Sequence, residues 1–235
     1  MPQAAFAAGG SNLDLDEANI DLADKVSLRN GAKLFVDYCL NCHSAELMRY
    51  SRIGQDLDMT DEELIAELLP ANGKIGDTME IVMQPKEAAQ WFGTAPPDLS
   101  VLMRVRGEDW VYSYLRAFYR DESRPWGVNN SVFKDVAMPH ALWELQGLQE
   151  AEVETHTDED GYERETITGF KLAEPGSLSP EAYDNAVRDL VNFMAYVSEP
   201  SKMQRLALGK WVLGFLFIFL ILVYLLKKEY WKDIR

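Results

Sequence analysis

The chain is poor in cysteine, in histidine and in positive charge, and each shortage removes a class of function. Its 235 residues include only two cysteines, Cys39 and Cys42, and three histidines. A structural zinc site on the cysteine pair would need a second ligand pair, and no other cysteine exists to supply one. Lys and Arg number 23 against 38 Asp and Glu, a formal net charge of -15. That balance excludes nucleic acid as a partner and favours a cationic one, most simply a basic protein. No strand–helix–strand pattern surrounds the cysteines, so a thioredoxin-like redox pair lacks its usual context. Long uncharged apolar runs are also missing, with one exception close to the C-terminus.

What the chain does have is organised around Cys39-Leu40-Asn41-Cys42-His43. The spacing is C-x-x-C-H, the signature of covalent c-type haem attachment. On a helical turn, residues i and i+3 share a face, so both thiols can reach the vinyl groups along one porphyrin edge. His43 follows at once and is placed to become the proximal iron ligand. Its other ring nitrogen should donate to a backbone carbonyl, which fixes orientation and tautomer. One motif means one haem c. A plain disulfide is the competing reading, and it leaves His43 without a role.

Around the motif the pattern is mostly helical. Residues 12–25 are acidic and predict a short helix and loop over the surface. Ser27 is a good N-cap, predicting a helix over Leu28–Tyr38 that leads into the motif. Gly31, Leu34, Phe35 and Tyr38 fall on one stripe suited to close packing against a partner helix. Thr60 with Glu63 forms a capping box for a helix over Asp61–Leu69. A further turn is expected over Lys86–Phe92, and Ala95-Pro96-Pro97-Asp98-Leu99-Ser100 reads as a rigid turn feeding a helix from near Leu99. Glu108 and Asp109 open an apolar helix through Phe118, and residues 121–136 read as loop.

Between Leu148 and Leu172 the period changes. Val153 and Thr155 face Tyr162, Ile167 and Phe170 across Asp160-Gly161, which predicts a hairpin. Eight carboxylates crowd it, so it reads either as a solvated hairpin kept from aggregating by charge or as a docking element. Ser179-Pro180-Glu181 then starts a helix whose stripe runs from Tyr183 to Val197 and which is the natural partner of the helix before the motif. Trp211–Leu226 is uncharged and, at 1.5 Å per residue, roughly 24 Å long; extended back to Leu206 it reaches roughly 31 Å, enough to span a bilayer. Trp211 on one side and Tyr230 with Trp231 on the other form an aromatic belt.

These readings predict three regions. Residues 1–10 are a flexible terminus or a signal remnant, Ala5-Phe6-Ala7 resembling a cleavage site. Residues 11–200 are an extracytoplasmic haem domain, and residues 201–235 a membrane anchor with a short cytoplasmic tail. The fold class is mostly α, with long loops, a small acidic β-hairpin and one C-terminal transmembrane helix. For the face of the haem opposite His43, Met138 is the leading ligand, in a long loop stiffened by Pro139. Met79, Met83 and Met103 are rivals, and His140 is a weaker one. A vacant distal position would instead allow peroxidase-type ligand chemistry.

Taken together, Cys39–His43, Ala95–Ser100, Arg104-Val105-Arg106-Gly107-Glu108-Asp109-Trp110, Ala137-Met138-Pro139-His140 and the C-terminal anchor resemble the cytochrome c1 family. That family is the haem subunit of the cytochrome bc1 complex, the ubiquinol–cytochrome c reductase. The resemblance implies a class I c-type cytochrome-like domain with Met138 as sixth iron ligand and Pro96 and Pro97 lining the proximal side. It implies Arg106 on a propionate, with Arg104 a second candidate; an arginine fork matches a carboxylate. It implies electrons taken from a Rieske iron–sulfur protein and passed to a cytochrome c, with cytochrome b beside the anchor. The setting it implies is a bacterial cytoplasmic membrane with the haem domain on the periplasmic side. A membrane-anchored cytochrome of another oxidase or reductase is the alternative. Two departures stand out: the additional disulfide of some relatives has no cysteines here, and Trp91-Phe92-Gly93 replaces a segment where many relatives carry Asn and Gly.

Overall fold

The computed structural model describes residues 15–157 and 163–232, and the side chains of all of these except residues 163–165. Ala5-Phe6-Ala7, the turn at Asp160-Gly161 and Tyr162 lie outside the described residues. The chain divides into two compact units, Met1–Ser198 and Glu199–Arg235.

In the first unit, helix α1 (Lys25–Leu34) passes directly into a π-helical turn, Phe35–Cys39, which delivers the motif. Its N-cap is Asp24, which accepts from the Val26 and Ser27 amides, and not Ser27 as the sequence predicts. Ser27 is drawn elsewhere: its hydroxyl donates to Asp189 at 2.6 Å. Strand β1 (Ala45–Arg49), helices α2 (Tyr50–Asp56) and α3 (Asp61–Glu67), strand β2 (Thr78–Met79) and helix α4 (Pro85–Phe92) follow. The capping box at Thr60 and Glu63 forms as expected. The turn at Pro96 and Pro97 feeds α5 (Leu102–Arg106), three residues later than predicted, and α6 (Glu108–Arg116). Gly107 separates these helices at φ +86, a conformation costly for residues with a Cβ.

Phe118, expected on α6, lies instead in β3 (Phe118–Arg120), paired with β4 (Val128–Asn130) inside the stretch read as loop. A short helix α7 (Trp143–Gln146) leads to the hairpin β5 (Gly147–Thr157) and β6 (Glu163–Pro175). The hairpin is longer than its sequence signal, with Val153 opposite Ile167 and Ala151 opposite Phe170. Its base is anchored by Gln149, whose amide donates to the carbonyls of Arg116 and Phe118 at 2.9 and 3.0 Å.

Helix α8 (Pro180–Ser198) is the centre of the core, burying Val187, Leu190, Val191 and Phe193. It crosses α1 at Gly31, where a Cβ would stand 2.0 Å from the Asp189 carbonyl oxygen. Phe35 packs on Phe193 with ring centroids 5.6 Å apart. The expected pairing of these two helices therefore holds, and it places the start of the motif directly on the core.

The second unit is one helix, α9 (Lys202–Tyr230), apolar and exposed along its length. It is long and apolar enough to cross a membrane, with mean hydropathy 2.5 over its best window.

Candidate haem site

The motif is a tight turn. The Cys42 and His43 amides donate to the Cys39 carbonyl at 3.0 and 2.8 Å, and the Leu40 amide reaches back to Phe35 at 2.8 Å. Both cysteines are free thiols. Burial, reinforced by Cys42, pushes the Cys39 thiol up to about 12, and burial also raises Cys42. Thiols held this far from the thiolate form do not suit a redox-exchange site, in which a depressed pKa is the working feature. Among the described residues, no group of three or more His, Cys, Asp or Glu side chains is placed to hold a metal ion.

His43 Nδ1 lies 2.8 Å from the Pro97 carbonyl oxygen. A carbonyl can only accept, so Nδ1 carries the proton and Nε2 keeps a free lone pair. Burial lowers the His43 pKa, partly offset by that bond and by Asp98, so the ring favours the neutral form that a metal needs. The carbonyl itself is held in place. Asp98 accepts from the Glu46 and Ser100 amides, both at 2.9 Å, and the Leu99 amide donates to Ser44 at 2.8 Å. The Ser100 hydroxyl accepts from Leu47 at 3.1 Å. The segment after the motif and the Pro96–Ser100 turn are thus joined along their length. Pro96 is half-buried and Pro97 exposed.

Met138 lies elsewhere in the chain and is held differently. It packs beside Phe118, Val128 and Val136, a small cluster that Tyr114 also borders. The Tyr114 hydroxyl donates to Met138 Sδ at 3.2 Å. Burial raises the Tyr114 pKa, so the phenol remains a donor. Of the rival methionines, Met79 and Met103 are buried in the main core and Met83 is half-buried. His140 is buried and stacks flat on Phe118, centroids 4.8 Å apart at 3°. Burial lowers its pKa to about 4, so it is a neutral packing group.

The two arginines part company. The Arg106 guanidinium lies 4.8 Å above Trp110 and 5.8 Å from the Phe133 ring. Trp110 in turn stacks on Tyr114 at 5.1 Å and 8°, so Arg106 is connected to Met138 through two rings. Arg104 is exposed. Neither arginine has a carboxylate partner among the described residues. The sequence alone gives no site role to Tyr114, Phe133 or Trp110, the last of which ends the Arg104–Trp110 segment. A signal existed, since Arg106, Trp110, Tyr114 and Phe118 recur every four residues, but it resembles an ordinary helix stripe. At Trp91-Phe92-Gly93, Phe92 packs on Trp126 at 5.5 Å and Gly93 ends α4 at φ +80.

The motif's donor set, two thiols and an imidazole on one turn, suits one haem, while the Met138 thioether and the Arg106 guanidinium are gathered separately on the Trp110 and Tyr114 rings. The Cytochrome C1 family matches the chain over residues 17–164 and 177–234. A cytochrome c1 of Allochromatium vinosum is 48% identical over 234 residues, covering 100% of this chain and 95% of its own. A protein of Nitrosomonas europaea named ammonia monooxygenase gamma subunit is 49% identical over 234 residues, covering 99% of this chain and 94% of its own. A cytochrome b/c1 of Bradyrhizobium diazoefficiens is 24% identical over 242 residues, covering 90% of this chain and 34% of its own.

Proposed function

The chain belongs to the cytochrome c1 family, the haem electron carriers of the bc1 complex, and on that premise we propose how its own residues serve the transfer. Members carry one covalently bound haem c, and the single C-x-x-C-H motif provides for one. Cys39 and Cys42 hold the haem through thioethers. His43 Nε2 and the Met138 thioether are the axial ligands, Pro96 and Pro97 line the His43 side, and Arg106 balances a propionate. Arg104 is the weaker propionate candidate, since it is exposed and, among the described residues, makes no ring contact such as Arg106 makes. The bound haem supplies a one-electron couple; the chain holds it, orients it and sets its potential.

The observation that carries this reading is the 2.8 Å bond from His43 Nδ1 to the Pro97 carbonyl, which leaves Nε2 free beside two thiols. For partners, electrons arrive from a Rieske iron–sulfur protein and leave to a cytochrome c, and cytochrome b packs beside α9. The cytochrome b/c1 relative supports the last of these. The net charge of -15 supports a cationic acceptor. The haem unit faces the periplasm of a bacterial cytoplasmic membrane, since c-type attachment takes place there, and α9 anchors it.

Purification of the full chain from its own membranes in mild detergent tests the reading. One covalent haem per chain, a reversible one-electron titration, and co-elution of cytochrome b with an iron–sulfur subunit are expected. Absence of covalent haem overturns it. One relative is named as an ammonia monooxygenase subunit, so the same purification also tests the alternative of a haem subunit in a different oxidoreductase. Co-elution with monooxygenase subunits in place of cytochrome b would select that one.

A further inference from the structure

Met138 is held by more than its loop. Arg106, Trp110, Tyr114 and Phe118 recur at four-residue spacing and form a continuous column. Arg106 covers Trp110, Trp110 stacks on Tyr114, Tyr114 meets the Phe118 edge at 5.3 Å, and Phe118 stacks on His140. The Met138 segment is fixed to this column twice, by the Tyr114 hydroxyl at its sulfur and by the His140 ring two residues on. Asn130 locks the column from behind, its side-chain amide donating to the Tyr114 carbonyl at 2.8 Å.

We propose that Tyr114 is a positioning residue for the iron ligand Met138, its hydroxyl aiming the thioether and reducing its donor strength. The inference rests on the reading of Met138 as axial ligand. A thioether sulfur has two lone pairs, so accepting from Tyr114 leaves one for iron. A donor on that sulfur withdraws electron density, which weakens donation to ferric iron more than to ferrous iron and so raises the potential. Hydrogen bonds from beyond the ligand shell tune metal sites in this way. The same bond restrains the sulfur when it leaves the iron, so it also slows entry of an outside ligand.

Tyr114→Phe keeps the ring and its stacking and removes only the hydroxyl. In the full-length holoprotein, the variant should retain covalent haem and the methionine–iron near-infrared band. Its potential should fall by up to about 60 mV, the one-electron equivalent of a tenfold change. Cyanide binding to the ferric protein should be about 2- to 10-fold faster, the range expected for loss of one net hydrogen bond. Tyr119→Phe, which removes a half-buried phenol from β3, controls for general loosening and should change neither quantity. Wild-type potential and cyanide rate in Tyr114→Phe overturn the inference, as does an equal change in Tyr119→Phe. Met138→Leu separates the two levels. If the near-infrared band survives in Met138→Leu, the ligand assignment itself has failed; if it is lost there while Tyr114→Phe behaves as wild type, only the role of Tyr114 has.

Discussion

On the proposed ligation, the two faces of the haem site are built by opposite strategies. On the His43 side everything is local or one contact away. Five consecutive residues supply both thiols and the imidazole, and one turn at Pro96–Ser100 fixes the imidazole through the Pro97 carbonyl, with the Asp98 carboxylate bracing the turn. On the Met138 side the decisive contacts are remote in sequence. The thioether is set by a tyrosine on α6, by packing on β3 and β4, and by a histidine stacked two residues on. A backbone-held group is hard to move by point substitution, whereas a side-chain-held group can be retuned by one atom. On that proposal, attachment therefore belongs to the first face and tuning of the potential to the second.

Breaking that division should be most visible at the cysteines. Cys39→Ala with Cys42→Ala should abolish covalently held haem, read by haem staining after denaturing electrophoresis, while single changes on the Met138 face leave attachment complete. Next in size is Met138→Leu. It should keep the haem and lower the potential by ~0.1 V or more, a fraction of the ~0.8 V that axial ligation spans, measured by spectroelectrochemistry. An unchanged potential would mean that the second face contributes no ligand.

Gly31→Val sharpens the comparison from the scaffold side. Its side chain would meet the Asp189 carbonyl where α1 crosses α8. Overpacking of this kind costs roughly 1–3 kcal/mol, or several degrees in Tm for a unit of this size at about 2–4 °C per kcal/mol. The potential of the protein that remains folded should be unaltered. The smallest effect is expected at Arg106→Ala. Its guanidinium is exposed over Trp110, and such cation–π contacts contribute about 0.5–1 kcal/mol. Loss of the positive charge should also depress the potential slightly, and a rise would contradict the propionate role.

The same contrast explains what could be read from the amino acids alone. The motif, the capping box at Thr60, the start of α8 at Ser179 and the apolar run of α9 each declare themselves within a few residues. Gly31 on an apolar stripe even pointed to the close α1–α8 crossing. The β1–β2 and β3–β4 pairs were not legible, because β2, β3 and β4 are two or three residues long and carry no period, and β1 pairs with a remote segment. The cap of α1 was misplaced because Asp24 and Ser27 are both good caps, and a tertiary bond from Ser27 to Asp189 decided between them. Phe118 looked like one more turn of α6 until pairing with Asn130 made it a strand. Tyr114 escaped for the same reason: its ring fits a helix stripe, and only the fold brings Met138 to its hydroxyl.

The central claim is that His43 and Met138 meet one haem from opposite faces. Near-infrared magnetic circular dichroism of the oxidised, full-length protein in detergent tests it most directly. The account predicts a histidine–methionine charge-transfer band at full intensity for one haem per chain, lost in Met138→Leu. A bis-nitrogen or histidine–water signature in the wild-type protein would contradict it.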